Sequence, residues 1–382
     1  MRQRWVSLAV GLGLAASGLA AEPDDTRAVM RKTYGSLSRL LPAALAPEPM
    51  VEANASGELM GAIDALADAA SQIEVHAKPS DAGFRFLGRA LAQDAALIRK
   101  RMSAERFDDA GVLVVRMTEN CIACHSRLPA QREPAFAASL VGEVDRGNLS
   151  PVQRARLEIA LRQFDRALDI HEKLLADPNV IPASLDYTGA LGDYLIVALR
   201  VTGQPERARE SLRKFAKRSD LSETLQRALP IWIEALAALA PELQAPPTLE
   251  RAADILERGE SLRRYPADRA DLVHKVVASS LLYRYVQGEK VSSDSLAEAF
   301  YLMGITDAFV RRSFERSEAQ FYLEQAIRLS PGSDLARVAY VQLETETLLE
   351  YSGSSGLHLP GDVQRWLAEL RAIARKAPAP VR

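Results

Sequence analysis

Two cysteines, Cys121 and Cys124, stand three positions apart, and a histidine, His125, directly follows the second. They are the only cysteines in 382 residues, so no distributed disulfide framework accounts for them. Thiols this close in sequence point to chemistry done together. Each can add across a vinyl group of one porphyrin, and the adjacent imidazole is then held beneath the iron. Cys121, Ile122, Ala123, Cys124 and His125 have the spacing at which a c-type haem is attached. The sequence therefore predicts one covalent haem c anchored by Cys121 and Cys124, with His125 as the proximal iron ligand. The other ring nitrogen of His125 needs an acceptor such as a carbonyl or carboxylate.

Three other readings of these five residues stand beside it. A redox dithiol of the thioredoxin kind follows a strand and sits at a helix N-terminus, whereas the upstream GVLVVRMTEN continues the helical period from Phe107. A zinc site needs further ligands, and the chain offers no other cysteine and only four other histidines, none near residue 125. A coincidental motif without a cofactor is the third.

For the sixth iron position the candidates are Met30 and His76. Helices running alternately up and down bring the start of the first, the end of the second and the end of the fourth to one level. A methionine there raises the potential and a histidine lowers it relative to methionine. Met30 on an apolar stripe is equally a core residue, and His76 is equally a helix C-terminal residue favoured by the dipole. An open site, or one filled by another ligand, is the remaining alternative. An open site points to gas binding or slow peroxide chemistry, where six-coordinate iron points to electron transfer. His171 and His274 lie on apolar-periodic helices and read as packing or surface residues. His358 falls in the loop YSGSSGLHLP and serves as a ligand only if the chain folds back. Tyr283, Tyr285, Phe300, Tyr301, Phe309, Phe321, Tyr322 and Tyr340 read mostly as packing between helices, some lining a binding surface. No phosphate loop, HExxH or GxSxG occurs.

The elements that must position the motif are helical throughout. Val29, Met30, Thr33, Tyr34, Leu37, Leu40 and Leu41 recur at helical spacing until Pro42, which predicts a stop. Leu59, Ile63, Leu66, Ala70 and Ile73 mark a second helix over 56–76, and Phe84, Leu87, Leu91, Ala95 and Ile98 a third. A fourth starts near Ala104 and runs into the motif as far as His125, with Pro129 just beyond. Four helices joined by short loops predict an up-down-up-down bundle. From residue 149 the helices come in pairs: 151–163 with 164–176, then SLDYTGALGDYLIVALRVTG with QPERARESLRKFAKR. The pairs 221–240 with 248–264, 268–287 with 293–309 and 315–329 with 333–351 follow, and a helix from Val363 to Lys376 closes the series. An irregular all-helical domain is the alternative to true repeats. The fold class expected is all-α: a four-helix bundle carrying the haem, then an α-solenoid of helical hairpins.

The N-terminus reads MRQRW, an apolar run, small residues and then EPDD. That is the pattern of a secretory signal cut after Ala20 or Ala21, with an uncleaved anchor as the alternative. The expected division is 1–21 signal peptide, 22–135 haem domain, 136–148 linker and 149–382 repeats, in a protein exported to the periplasm. No later stretch reaches the length of a membrane span. With 48 basic and 50 acidic residues the formal charge is −2, which gives no pull toward nucleic acid.

On the strength of CIACH late in the last helix and of the helix count and lengths, residues 27–128 resemble the class II cytochromes c, the cytochrome c prime and c-556 group. The resemblance implies a four-helix haem domain with His125 as the iron ligand, and low-spin members carry a methionine early in helix one, where Met30 stands. The chain departs from that family's usual continuation after the histidine, with Ser126, Arg127, Leu128 and Pro129. EAFYLMG at 298–304 and AQFYLEQAIRLSPGS at 319–333 look like tetratricopeptide units, whose period is about 34 residues. Such repeats imply docking of a redox or assembly partner, or of a second copy of the chain. The expected function is an electron carrier rather than an enzyme. The alternatives are a haem-based gas or redox sensor that acts as a scaffold, and a weak haem peroxidase.

Overall fold

A computed structural model describes residues 23–45, 57–73, 82–130, 149–265, 268–288, 291–310, 318–354 and 356–376. Sixteen α-helices make up most of them, and the only strands among the described residues, Ser352–Gly353 and Gly356–Leu357, form a minimal antiparallel hairpin. The fold is all-α. The signal segment, His76 and the linker at 136–148 lie outside the described residues.

The first four helices are α1 (Pro23–Leu45), α2 (Glu58–Ile73), α3 (Ala82–Ser103) and α4 (Phe107–His125). Each packs on the next, and α1 closes back on α4. Their apolar positions recur at three and four residues, so each helix turns one stripe inward. Leu40, Leu41, Ile63, Leu66, Ile98, Val114 and Met117 are sealed in the centre. Contrary to the expected stop, α1 continues through Pro42 to Leu45. A proline in the last turn removes one hydrogen bond, while Leu40 and Leu41 on that turn are buried.

Beyond residue 149 come α5 (Pro151–Ala160), α6 (Phe164–Ala176), α7 (Pro182–Tyr187), α8 (Ala190–Leu195), α9 (Pro205–Phe215) and α10 (Glu223–Ala238). Then follow α11 (Leu249–Glu260), α12 (Leu272–Tyr285), α13 (Ser293–Val310), α14 (Glu318–Leu329), α15 (Asp334–Glu350) and α16 (Gly361–Ala374). Several starts are written in the sequence as hydroxyl caps. The side chains of Ser150, Ser222, Thr248 and Ser333 accept from Gln153, Leu225, Arg251 and Ala336 N–H groups respectively. At Ser150 the Gln153 side chain reaches back to complete a capping box.

Two expected pairings change. The stretch read as one helix over 184–203 is two, because Gly189 takes φ 81° between α7 and α8, a left-handed turn only glycine adopts without strain. α8 then runs into a π-helical segment, Ile196–Val201, whose six residues are all buried. α10 does not form its main contact with α11. It packs on α9 and α12, and α11 packs on α12. The 3-10 turn Ala240–Leu243 and the prolines at 241, 246 and 247 carry the chain across before α11 begins. At the centre Trp232 is fully buried and its Nε1 donates to the Arg269 carbonyl at 2.8 Å.

The two helical groups share a seam. α5 packs on α4, α14 packs on α3, and Phe86 of α3 stacks on Phe321 of α14 with ring centres 4.5 Å apart. Within the second group α13 and α14 approach closely at Gly304, where an added Cβ would sit 2.6 Å from Leu323 Cγ and 3.3 Å from the Ala319 carbonyl oxygen. Gly304→Ala is therefore expected to lower stability by about 1–3 kcal/mol through overpacking. The measurement is the urea midpoint, and an unchanged midpoint would contradict so close an approach.

Candidate functional site

α4 begins with Asp108 and Asp109 in its first turn, where the helix dipole favours negative charge, and buries Ala110, Gly111, Val114, Met117 and Ile122. Cys121, Cys124 and His125 fall at i, i+3 and i+4 in its last turns and so share one side of the helix. Asn120 Nδ2 donates to Asp94 Oδ2 of α3 at 2.6 Å, and the Ser126 hydroxyl donates to the Ile122 carbonyl at 2.6 Å. These bonds hold the end of α4 in place as the chain leaves it.

Both cysteines are half-buried, and no disulfide joins them. Cys121 packs against both hydrophobic clusters of the molecule, so it lies at the seam between the two helical groups. Burial pushes its thiol up to about 12, with the nearby Glu119 and Asp94 adding in the same direction. A reactive dithiol needs the opposite environment, a lowered thiol at the positive end of a helix. Cys121 stands at the carboxyl end.

His125 Nδ1 lies 2.8 Å from the carbonyl oxygen of Ala160, the last residue of α5. Desolvation lowers the imidazole to about 4, so the ring is neutral at pH 7. A neutral ring carries one proton, and with a carbonyl at Nδ1 that proton sits on Nδ1 and is donated to it. Nε2 then keeps its lone pair, the form of imidazole that binds a metal.

Met30 is half-buried and, with Cys121, borders the cluster inside α1–α4. His171 is buried in α6 with its ring centre 5.9 Å from that of Tyr194, and its Nε2 has no hydrogen-bond partner among the described residues. His274 is buried in α12 beside Gly259, and His358 is exposed beside the small hairpin. None of these three joins the motif. Among the described residues no group of three or more His, Cys, Asp or Glu side chains is arranged to hold a metal ion.

A buried cluster of arginines, tyrosines and carboxylates adjoins the residues that follow the motif. Arg127 Nη1 donates to Glu318 Oε1 at 2.7 Å and to the Tyr322 hydroxyl at 2.8 Å. Arg200, from the π-helical segment, donates to the Ser126 carbonyl at 3.3 Å and to Ser279 Oγ at 2.5 Å. The two guanidinium groups cover Tyr283, at 4.7 Å and 4.6 Å from its ring centre. The Tyr283 hydroxyl donates to Asp307 Oδ2 at 2.5 Å. Burial raises Tyr283 and Tyr322 well above the usual phenol range, so both stay protonated. Among the described residues the Arg127 and Arg200 guanidinium groups stand with the Glu318 and Asp307 carboxylates, opposite charges that offset part of the cost of desolvating one another. Tyr283, Tyr322 and Arg127 drew notice in the sequence for other reasons, and a further sign of the cluster is a charge inside an apolar run, Arg200 in IVALRV. Gly83 fits the same arrangement, because a Cβ there would meet the Arg127 guanidinium at 2.6 Å.

Compared with protein-family models, curated proteins and solved structures, the chain matches none.

Removing Arg127 leaves Glu318 without its buried guanidinium. Arg127→Met should cost about 3–5 kcal/mol in chemical denaturation, and adding Glu318→Gln should recover part of it. A double variant no more stable than the single one would show that the pair is not coupled. Burial also lowers His171 to about 4 from the ordinary 6.5. The unfolded chain takes a proton that the folded ring refuses, so this stability is present above pH 6.5 and falls as pH drops toward 4. The loss is about 3 kcal/mol. Subtracting the stability–pH curve of His171→Phe from that of the unaltered chain isolates it, and a flat difference would remove His171 from the account.

Proposed function

We propose that the chain is an exported, periplasmic monohaem c-type cytochrome. Residues 22–135 form a four-helix bundle of the class II kind with haem c bonded to Cys121 and Cys124, and residues 149–382 form tetratricopeptide-like repeats that dock a partner protein. The observation that carries the reading is the imidazole that ends the CIACH helix, neutral and with its Nδ1 proton directed to a carbonyl. The donor set fits the group: two thiols one turn apart as anchors, an imidazole with an available Nε2, and apolar surroundings on both sides of Cys121. A metal held by side chains alone needs a cluster of donors that the described residues do not contain.

When bound, the haem supplies a one-electron couple at iron. The chain's own residues then have separate tasks. Cys121 and Cys124 would bond the ring, His125 would offer Nε2 to the iron, and Met30 and His76 are the candidates for a second protein ligand. Methionine is a soft ligand that raises the potential and histidine lowers it relative to methionine. The small net charge of −2 leaves partner choice to shape and local contacts rather than to a long-range field. Export rests on the N-terminal pattern, and no helix of the described residues is long and apolar enough to cross a membrane.

A second reading, a haem-based sensor, is favoured by the bonds that tie the residues after His125 to the repeats, from Arg200 to the Ser126 carbonyl and from Ala130 N–H to the Val201 carbonyl at 2.9 Å. A change at the motif would be felt there directly.

Protein matured in an exporting host with cytochrome assembly should show a Soret band and a mass increased by one haem, both lost in Cys121→Ala/Cys124→Ala. A bare-chain mass sinks the cytochrome reading. With haem in place, six-coordinate low-spin spectra indifferent to carbon monoxide support the carrier, and rapid carbon monoxide binding supports the sensor.

A further inference from the structure

The partner of His125 Nδ1 does not belong to the helices that carry the motif. Ala160 lies 35 residues further along, in the last position of α5. The last carbonyls of a helix have no N–H ahead of them in the same helix. Here the chain also turns away, with Arg162 at φ 60° and Gln163 N–H returning to the Glu158 carbonyl at 2.8 Å. The imidazole N–H comes to the Ala160 carbonyl instead. Arg200 and Val201 hold Ser126 and Ala130 from the same side, so the region beyond residue 149 sets both the acceptor and the path of the chain just after the ligand.

We propose that Ala160 is the outer-shell acceptor for the haem ligand, and that the helical region after residue 149 thereby tunes the iron's reduction potential as well as docking partners. The inference rests on the haem reading given above. Donation of the Nδ1 proton fixes the tautomer and the ring angle and makes Nε2 a stronger donor, which favours the ferric state and lowers the potential. The negative end of the α5 dipole strengthens the acceptor. Arg162 places a positive charge nearby, so the directional hydrogen bond carries the effect rather than the net field. Ala160 is a positioning residue, because it acts through His125.

The test uses full-length holoprotein labelled with 15N-histidine, reduced, and made diamagnetic with carbon monoxide where the sixth site is open. His125 should show a protonated Nδ1 whose proton exchanges at least about a hundredfold more slowly than that of a solvated imidazole. Leu161→Pro forces residue 160 out of the helical region and swings its carbonyl away. It should lose the protected proton and shift the ferric–ferrous balance toward ferrous about tenfold, ~59 mV for a one-electron couple. Leu161→Ala removes the same buried side chain but leaves the carbonyl in place, and should keep both the proton and the potential. A rapidly exchanging Nδ1 proton in the unaltered holoprotein overturns the inference even if Leu161→Pro does not fold, and so do equal potentials in the two variants. A preparation with no attached haem overturns the reading beneath it, and mass and Soret absorption distinguish that failure from the other.

Discussion

A neutral imidazole has a single ring proton, and where that proton goes decides which nitrogen is left to bind. In this chain it goes to the carbonyl of Ala160, at the end of a helix in a different part of the sequence. That bond makes the orientation of His125 depend on the placement of α5, and α5 is placed by packing on α4 and α6. The remaining features of the seam serve to keep those helices in register.

The arginine and tyrosine cluster is the most expensive of these features. Arg127 and Arg200 are both nearly sealed from solvent, and a buried guanidinium is tolerated only when its donors are satisfied and its charge is matched. Glu318 and Asp307 supply the matching charges, and Tyr283 fills the space between the two cations. Apolar residues of similar volume would pack as well or better. Polar groups instead require one arrangement, since any slip between the two helical groups leaves a charge unpaired. The π-helical segment contributes here as well, because the wider turn directs Arg200 and the Val201 carbonyl toward the motif's exit.

The environment of Cys121 separates chemistries that share a motif. At the carboxyl end of a helix and pressed between two hydrophobic clusters, its thiol is held protonated rather than activated. This disfavours thiolate redox chemistry and suits a sulfur that becomes a neutral thioether. It also places the Cys121 sulfur on the boundary between the two helical groups.

The all-helical class was legible because apolar residues recur at helical spacing, and four helix starts beyond residue 149 carry a further local sign in the hydroxyl caps Ser150, Ser222, Thr248 and Ser333. The CIACH spacing is equally local, since two thiols and an imidazole fall within five residues whatever the fold. Pairing was not legible. α11 turns to α12 rather than α10, and Gly189 splits an apparently continuous helix, because these outcomes depend on which faces meet after the chain has turned. Sequence alone therefore determined the all-helical class and the spacing of the three motif residues along one helix face. The acceptor for His125 and the partners of Arg127 were decided by tertiary structure, because a hydrogen bond across 35 residues or an ion pair across 191 leaves no periodic trace in the chain.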